Sequence, residues 1–209
     1  MASTPESLAR RVWRHVPDGP RRWVQSVRHP APADRQWMRT VMNKDAADYL
    51  RALPPEQHEA VEVSGSDRAG LPWKSYVSLQ YPEFDLCGDQ LPDRAYDVVI
   101  CEQVLEHVPD LTKAVANLRR LCRPGGRILV STPFLVKIHG HPDDYWRLTS
   151  SGVRVLLEGA GLRIESIKTW GNRQCARRNL RKWAPYRPWH SLKNDPDVPM
   201  VVWAVARND

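Results

Sequence analysis

No run of apolar residues in this chain approaches the ~18 uncharged positions of a membrane-spanning helix, and Met1–Ser7 lack the apolar core of a secretory signal. A soluble, cytoplasmic protein without a membrane span is therefore expected. Cysteine is scarce as well. The four in 209 residues, Cys87, Cys101, Cys122 and Cys175, form no C-x-x-C pair, which excludes a zinc ribbon or a small disulfide scaffold and leaves buried thiols in a reducing compartment. Glycine is sparse, 11 against 18 prolines, so loops and tails take a large share of the chain. The glycines also fail to make the usual phosphate-binding patterns. A dinucleotide fingerprint is missing around Gly65 and Gly70, and Gly70 runs into Leu71-Pro72 where a P-loop needs Lys-Ser/Thr. No internal repeat is visible.

What is present reads as globular: 42% hydrophobic residues, 26% charged and nine Trp exclude disorder. The length suits one domain with an appendage. The net charge of +7 is unevenly placed, with eight Arg against three acids in residues 1–40, and five Arg and two Lys without an acid in 171–194. Such segments suit a solvated surface or an anionic partner, and charge alone names none.

Residues 1–42 read as a separate basic, Trp-containing arm or cap. Its short amphipathic pieces around Leu8–Trp13 and Trp23–Val27 are broken at Pro17, Pro20, Pro30 and Pro32. The remainder, 43–209, reads as one domain. A helix is expected from Asp45 to Leu53, then strands at His58–Val63, Ser75–Leu79 and Tyr96–Cys101. A helix at Leu111–Leu121 presents Leu111, Val115, Leu118 and Leu121 on one stripe, and a strand at Arg127–Thr132 follows. After a long loop Thr149 caps a helix to Glu158, and strands at Arg163–Trp170 and Val198–Ala206 finish the chain. This alternation predicts an α/β fold with a mostly parallel sheet covered on both faces. In such sheets the ligand lies beyond the carboxyl ends of the strands where the topology reverses, which points to Glu62–Ser66, Gln80–Asp85 and Cys101–His107.

Three stretches in order carry more information. They are Leu91-Pro92-Asp93-Arg94-Ala95-Tyr96-Asp97-Val98-Val99, Val104-Leu105-Glu106-His107-Val108 and Arg123-Pro124-Gly125-Gly126. Over Glu59–Ala206 the chain resembles the class I methyltransferases that use S-adenosylmethionine, most closely their small-molecule subgroup. The resemblance implies a Rossmann-like sheet of seven strands, the last antiparallel. It implies the cofactor S-adenosylmethionine, with Glu62, Ser64 and Gly65 standing at the first-strand acid and glycine loop beside its methionine part. Gln80 falls where an acid normally holds both ribose hydroxyls, and a neutral amide lacks the charge-assisted strength of a carboxylate. Tyr81 falls beside adenine, Asp85 and Leu86 at its edge, and Cys101, Glu102 and Gln103 along the methionine side. The loop keeps one glycine where the family has several, and Ser64 and Ser66 fill similar volume provided that no positive φ is required there.

Methyl transfer is an in-line displacement, so a protein mainly aligns acceptor with donor and excludes water. His107, His139 and His141 are the candidate bases for an oxygen acceptor. The alternative role for His107 is to fix its loop. Tyr145, Trp146, Arg147, Trp170 and Arg173 are candidate substrate contacts, as an aromatic platform and an anion clamp, with packing as the alternative for the aromatics. No metal is expected, because His139 and His141, two apart on a loop, rarely suffice. The expected function is methylation of an oxygen or nitrogen of a small polar metabolite, a natural-product intermediate or a sugar. The alternative is a methyltransferase fold repurposed for binding or for a non-methylating reaction such as cyclisation. The expected partner is a small-molecule acceptor, a homodimer is allowed for, and nucleic acid is not expected despite Trp183, Tyr186, Trp189 and the basic run Arg177–Lys182.

Overall fold

The structure, a computed structural model, describes residues 36–140 and 143–209. The two amphipathic pieces expected in the arm, and His141, lie outside the described residues. Six strands form one sheet: β1 (Glu59–Val63), β2 (Ser75–Leu79), β3 (Tyr96–Glu102), β4 (Cys122–Pro133), β5 (Arg163–Trp170) and β6 (Val201–Arg207). Their order is β2-β1-β3-β4-β6-β5. Strands β2, β1, β3 and β4 are mutually parallel, whereas β6 runs antiparallel to both β4 and β5. The antiparallel final strand is as expected. The chain order reverses between β1 and β3, which sets the switch point at their carboxyl ends.

Among the described residues the strand count, six, differs from the seven implied by resemblance. Between Leu79 and Tyr96 the chain makes turns instead, with Phe84 N–H bonded to Gln80 O, and Gly88 N–H to Asp85 O, both at 2.8 Å. Pro82 and Pro92 offer no N–H to a ladder, and Asp85, Gly88 and Asp89 favour tight turns. Buried Asn117 anchors this segment, its amide donating to Leu86 O and Gly88 O at 2.9 Å.

Among the described residues four α-helices pack on the sheet and its edge. Helix α1 (Thr40–Ala52) starts five residues before the expected Asp45 and buries Met42, Ala46 and Leu50, one turn apart. Helix α2 (Leu111–Leu121) has the expected bounds; Asp110 caps it by accepting from Lys113 N–H at 2.9 Å. Helix α3 (Ser150–Gly159) is capped by Thr149, and α4 (Arg173–Asn179) by Asn172.

Strand alternation sends Val61, Val63, Val99, Cys101, Ile128 and Val130 to one face against α2 and α3. Ala60, Val98, Ile100, Leu129 and Val205 go to the other face against α1. A third cluster, Trp37, Met38, Met42, Trp170, Trp183, Met200 and Trp203 among it, ties the segment before α1 to the β5–β6 edge. No helix among the described residues is long and apolar enough to cross a membrane.

The amino ends of the parallel strands are stitched by charge. Asp97 accepts from the Glu59 amide at 2.8 Å and from Arg123 at 2.9 Å, and Arg123 also donates to Glu59. Burial opposes the ionised Asp97, but these donors win and hold its carboxyl below the usual range. A depressed folded-state pKa stabilises the fold above about pH 3.9, the unfolded value, and that contribution is lost as pH falls through the folded one. Asp97→Asn is expected to cost about 1–2 kcal/mol at neutral pH. In urea unfolding at a series of pH values the gap to wild type should close on acidification; a gap constant to pH 3 would refute this role.

Candidate active site

At the tip of β1 the side chain of Glu62 is buried at 2% exposure. Its carboxylate accepts from the Asp67 and Arg68 amides, both at 3.0 Å, and from the Tyr76 hydroxyl at 2.6 Å. Burial still outweighs these bonds and raises its pKa, with the nearby Glu102 charge adding to the shift. The effect is to pin the loop after β1. Within it Ser64 has φ +53°, so the condition attached to serine in the sequence reading is not met: the left-handed turn is retained without glycine. Such a conformation costs about 1–2 kcal/mol for an L-residue. At Gly65 there is no space for a side chain, since a Cβ would lie 2.5 Å from Glu62 Oε1. Gln80, exposed just past β2, donates its amide N–H to Gly65 O at 2.9 Å and also to Ser78 Oγ. A carboxylate there would face a carbonyl oxygen, which gives a local reason for the amide.

The facing wall is the end of β3. Cys101 is fully buried, and burial raises its thiol pKa. Gln103 has φ +57°, bonds Ser131 O through its amide N–H at 2.9 Å, and reaches Ser131 Oγ at 3.1 Å. Two left-handed residues, Ser64 and Gln103, thus turn the chain away from the tips of neighbouring strands. Glu102 is occupied by a partner that sequence reasoning missed: Arg68 holds it by two bonds, 2.8 and 3.0 Å, with side-chain exposures of 8% and 3%. Tyr81 is exposed; Asp85 accepts from the Cys87 amide; Leu86 is buried in the core.

A second group lies beyond β3 and β4. The turn Leu105–His107 and the loop after β4 bring His107 and His139 together, ring centroids 5.0 Å apart and nearly perpendicular. Between them stands Glu106, 0% exposed, its Oε1 3.7 Å from His107 Nε2 and 3.8 Å from His139 Nε2. Neither Glu106 oxygen has a hydrogen-bond partner among the described residues. Desolvation raises its pKa to about 8, and lowers that of His139 to about 4, helped by His107. His139 is accordingly a neutral imidazole at pH 7. His107 Nδ1 lies 2.6 Å from Asp143 O, and His139 Nδ1 3.4 Å from Asp144 Oδ2. Glu106 could have been found in the sequence as the acid next to His107, on the turn ending a buried strand.

The expected substrate contacts separate. Tyr145 and Trp146 are exposed at the rim, and Trp146 Nε1–H donates to Val108 O at 2.8 Å. The Arg147 guanidinium grips Asp144 through both nitrogens, at 2.5 and 2.6 Å. Trp170, 2% exposed, sits in the core with its indole N–H on Leu192 O. Arg173 is exposed and pairs with Asp195 at 3.4 Å. Of the aromatics beside the basic run, Trp183 is buried and Trp189 is 77% exposed.

Residues 45–184 match the family model described as a methyltransferase domain. A ubiquinone biosynthesis O-methyltransferase of Aeromonas salmonicida (strain A449) is 45% identical over 58 residues, 27% of this chain and 24% of that protein. A probable S-adenosylmethionine-dependent methyltransferase of Mycolicibacterium smegmatis is 34% identical over 102 residues, 44% of this chain and 40% of that one. The chain thus spans less than half the length of these curated relatives. The fold is shared with the Burkholderia thailandensis 1,6-didemethyltoxoflavin-N1-methyltransferase, solved with 1,6-didemethyltoxoflavin and S-adenosylhomocysteine, at a TM-score of 0.57 and 13% identity over 99% of this chain and 93% of that one.

Two stability measurements check the geometry of the crevice. Ser64→Gly relieves the left-handed strain and should raise unfolding stability by about 0.5–1 kcal/mol, net of the greater entropy of glycine; a destabilised variant would show that φ is negative there. Arg68→Met leaves Glu102 buried and unpaired and should cost about 3–5 kcal/mol, whereas Arg68→Met with Glu102→Leu should recover most of it. Additive losses in that cycle would contradict a buried pair.

Proposed function

Because this chain belongs to the methyltransferase-domain family, in the class I group that draws its methyl from S-adenosylmethionine, we propose that it methylates an oxygen or nitrogen of a small polar metabolite. A natural-product intermediate or a sugar would present such an atom. The observation that carries this reading is the meeting of His107 and His139 beyond the tips of β3 and β4, next to the switch point. The name of the Aeromonas relative, an O-methyltransferase, supports oxygen as the accepting atom.

The crevice residues fit the cofactor. Gly65 keeps backbone without a side chain over the Glu62 carboxylate, and left-handed turns at Ser64 and Gln103 follow the tips of β1 and β3. Glu62 would hold the loop, Ser64 and Gly65 would present backbone, and the exposed Gln80 and Tyr81 would meet the nucleoside. Asp85 shapes a turn that would border the adenine end, and the backbone of Glu102 and Gln103 would line the methionine end. S-adenosylmethionine supplies an electrophilic methyl on a sulfonium and takes up no proton.

The chain's own residues must therefore position the acceptor and receive its proton. With Nδ1 against the Asp143 carbonyl, a neutral His107 carries its hydrogen on Nδ1 and keeps Nε2 as an acceptor. His139, neutral through burial, is the second acceptor. A hydroxyl of the substrate would pass its proton to one of these nitrogens as its oxygen becomes nucleophilic. Tyr145 and Trp146 offer apolar surface at the rim for a ring or sugar face.

Calorimetry with S-adenosylhomocysteine, together with transfer of radiolabelled methyl to a panel of hydroxylated and amino metabolites, tests the reading. Gln80→Ala should weaken cofactor affinity by about 3–10-fold, the worth of one or two hydrogen bonds. His107→Ala and His139→Ala should lower turnover by about 10²–10⁴-fold while leaving that affinity within about twofold. Absence of cofactor binding at millimolar concentration would overturn the proposal, and tight binding without transfer to any acceptor would favour a repurposed fold.

A further inference from the structure

The donor atoms of Glu106, His107 and His139 all lie within 4.8 Å of one another. Among the described residues the pair that meets is not made within the loop after β4. It is His139 with His107, joined by a carboxylate from the turn after β3. Glu106 is the unusual member: its side chain is fully buried, both oxygens lack a hydrogen-bond partner among the described residues, and Oε1 faces each imidazole at 3.7 and 3.8 Å. An ionised carboxylate in such a place is unfavourable unless something compensates it.

Both imidazoles are also oriented as ligands are. His107 Nδ1 faces the Asp143 carbonyl and His139 Nδ1 faces the Asp144 carboxylate, with a second carbonyl, that of Lys137, at 3.3 Å. Partners at Nδ1 turn Nε2 inward and raise its basicity, the arrangement found behind metal-bound histidines. Asp144 is itself held by Arg147. A tetrahedral ion with bonds of about 2.0–2.1 Å places its ligand atoms about 3.3 Å apart, so the separations of 3.7 and 3.8 Å from Glu106 to the two histidines shorten slightly on binding, and the imidazole nitrogens, within 4.8 Å of each other, close up by side-chain rotation.

We propose that Glu106, His107 and His139 form a binding site for a divalent transition-metal ion of the zinc, cobalt or iron(II) class. Two imidazoles and one carboxylate suit these ions, and they suit magnesium or calcium poorly, which prefer all-oxygen shells. Three protein ligands leave at least one coordination position open. In the metal-loaded protein both Nε2 atoms are ligands and no longer bases. If the proposed methyl transfer is right, the open position would instead take an oxygen of the acceptor and favour its ionised form, in place of proton transfer to imidazole; this last step rests on the function proposed above, whereas the metal site does not.

The test uses the full chain, stripped of metal by a chelator and titrated with Co²⁺ in the absence of cofactor. One equivalent should bind and give visible d–d absorption without a thiolate charge-transfer band. Glu106→Gln and His139→Ala, checked for native circular dichroism, should each lose at least about 100-fold in affinity, and Asp144→Asn about 10–100-fold, the range for a group behind a ligand. Should a variant fail to fold, the wild-type spectrum and stoichiometry still decide. Cobalt held through cysteine, less than half an equivalent bound, or variants with unchanged affinity would overturn the site. Parallel calorimetry with S-adenosylhomocysteine on the metal-free protein keeps the outcomes separate: loss of cofactor binding would sink the transferase reading and leave the metal site standing, and the converse holds.

Discussion

The carboxylate of Glu62 accepts two loop amides and a tyrosine hydroxyl in a space almost closed to water. A charge that deep costs several kcal/mol unless its lone pairs are satisfied, so the loop from Ser64 to Arg68 must keep the conformation that satisfies them. The rest of the crevice follows. Gly65 has no room for a side chain because Glu62 lies beneath it, Gln80 ties β2 to the same loop through Gly65 O, and Arg68 is carried into place to meet Glu102 at the end of β3.

The backbone strain at Ser64 and Gln103 makes sense in that light. Non-glycine residues persist at positive φ when their surroundings over-determine them, and such positions cluster at ligand sites. Here one is fixed by the loop pinned to Glu62, the other by bonds to Ser131 on β4. Each of these two turns at the switch point costs energy, offset by buried hydrogen bonds around it. The amino ends of the same strands are closed by the Asp97, Arg123 and Glu59 network, so the sheet is tied at one end and shaped for a ligand at the other.

Much of the architecture was legible in the residues. Helix α2, its apolar stripe and strand β5 lie where period and punctuation place them, because local preference and burial agree there. That the described residues form six strands and not seven was not foreseen: turn-forming Asp85, Gly88 and the two prolines outweighed the family pattern between Leu79 and Tyr96. The early start of α1 depended on tertiary burial of Met42, which no local signal marks. At the site, the strand tips were located correctly, but pairings across the chain were invisible. Nothing in the spacing joins Arg68 to Glu102, or His107 to His139 through Glu106. For Trp170 the sequence left ligand platform and packing both open, and it lies in the core, since exposure depends on what β6 and the Leu192 segment lay over it.

Hydrogen–deuterium exchange of the full chain with and without S-adenosylhomocysteine asks most directly whether the pinned loop and the facing strand end form the cofactor site. Protection on adding the ligand should concentrate in residues 62–68, 80–86 and 101–103. Protection confined to other segments, such as the shallow cleft between α1 and β5 lined by Asp45, Tyr49 and Lys168, or no protection at saturating ligand, would contradict the account.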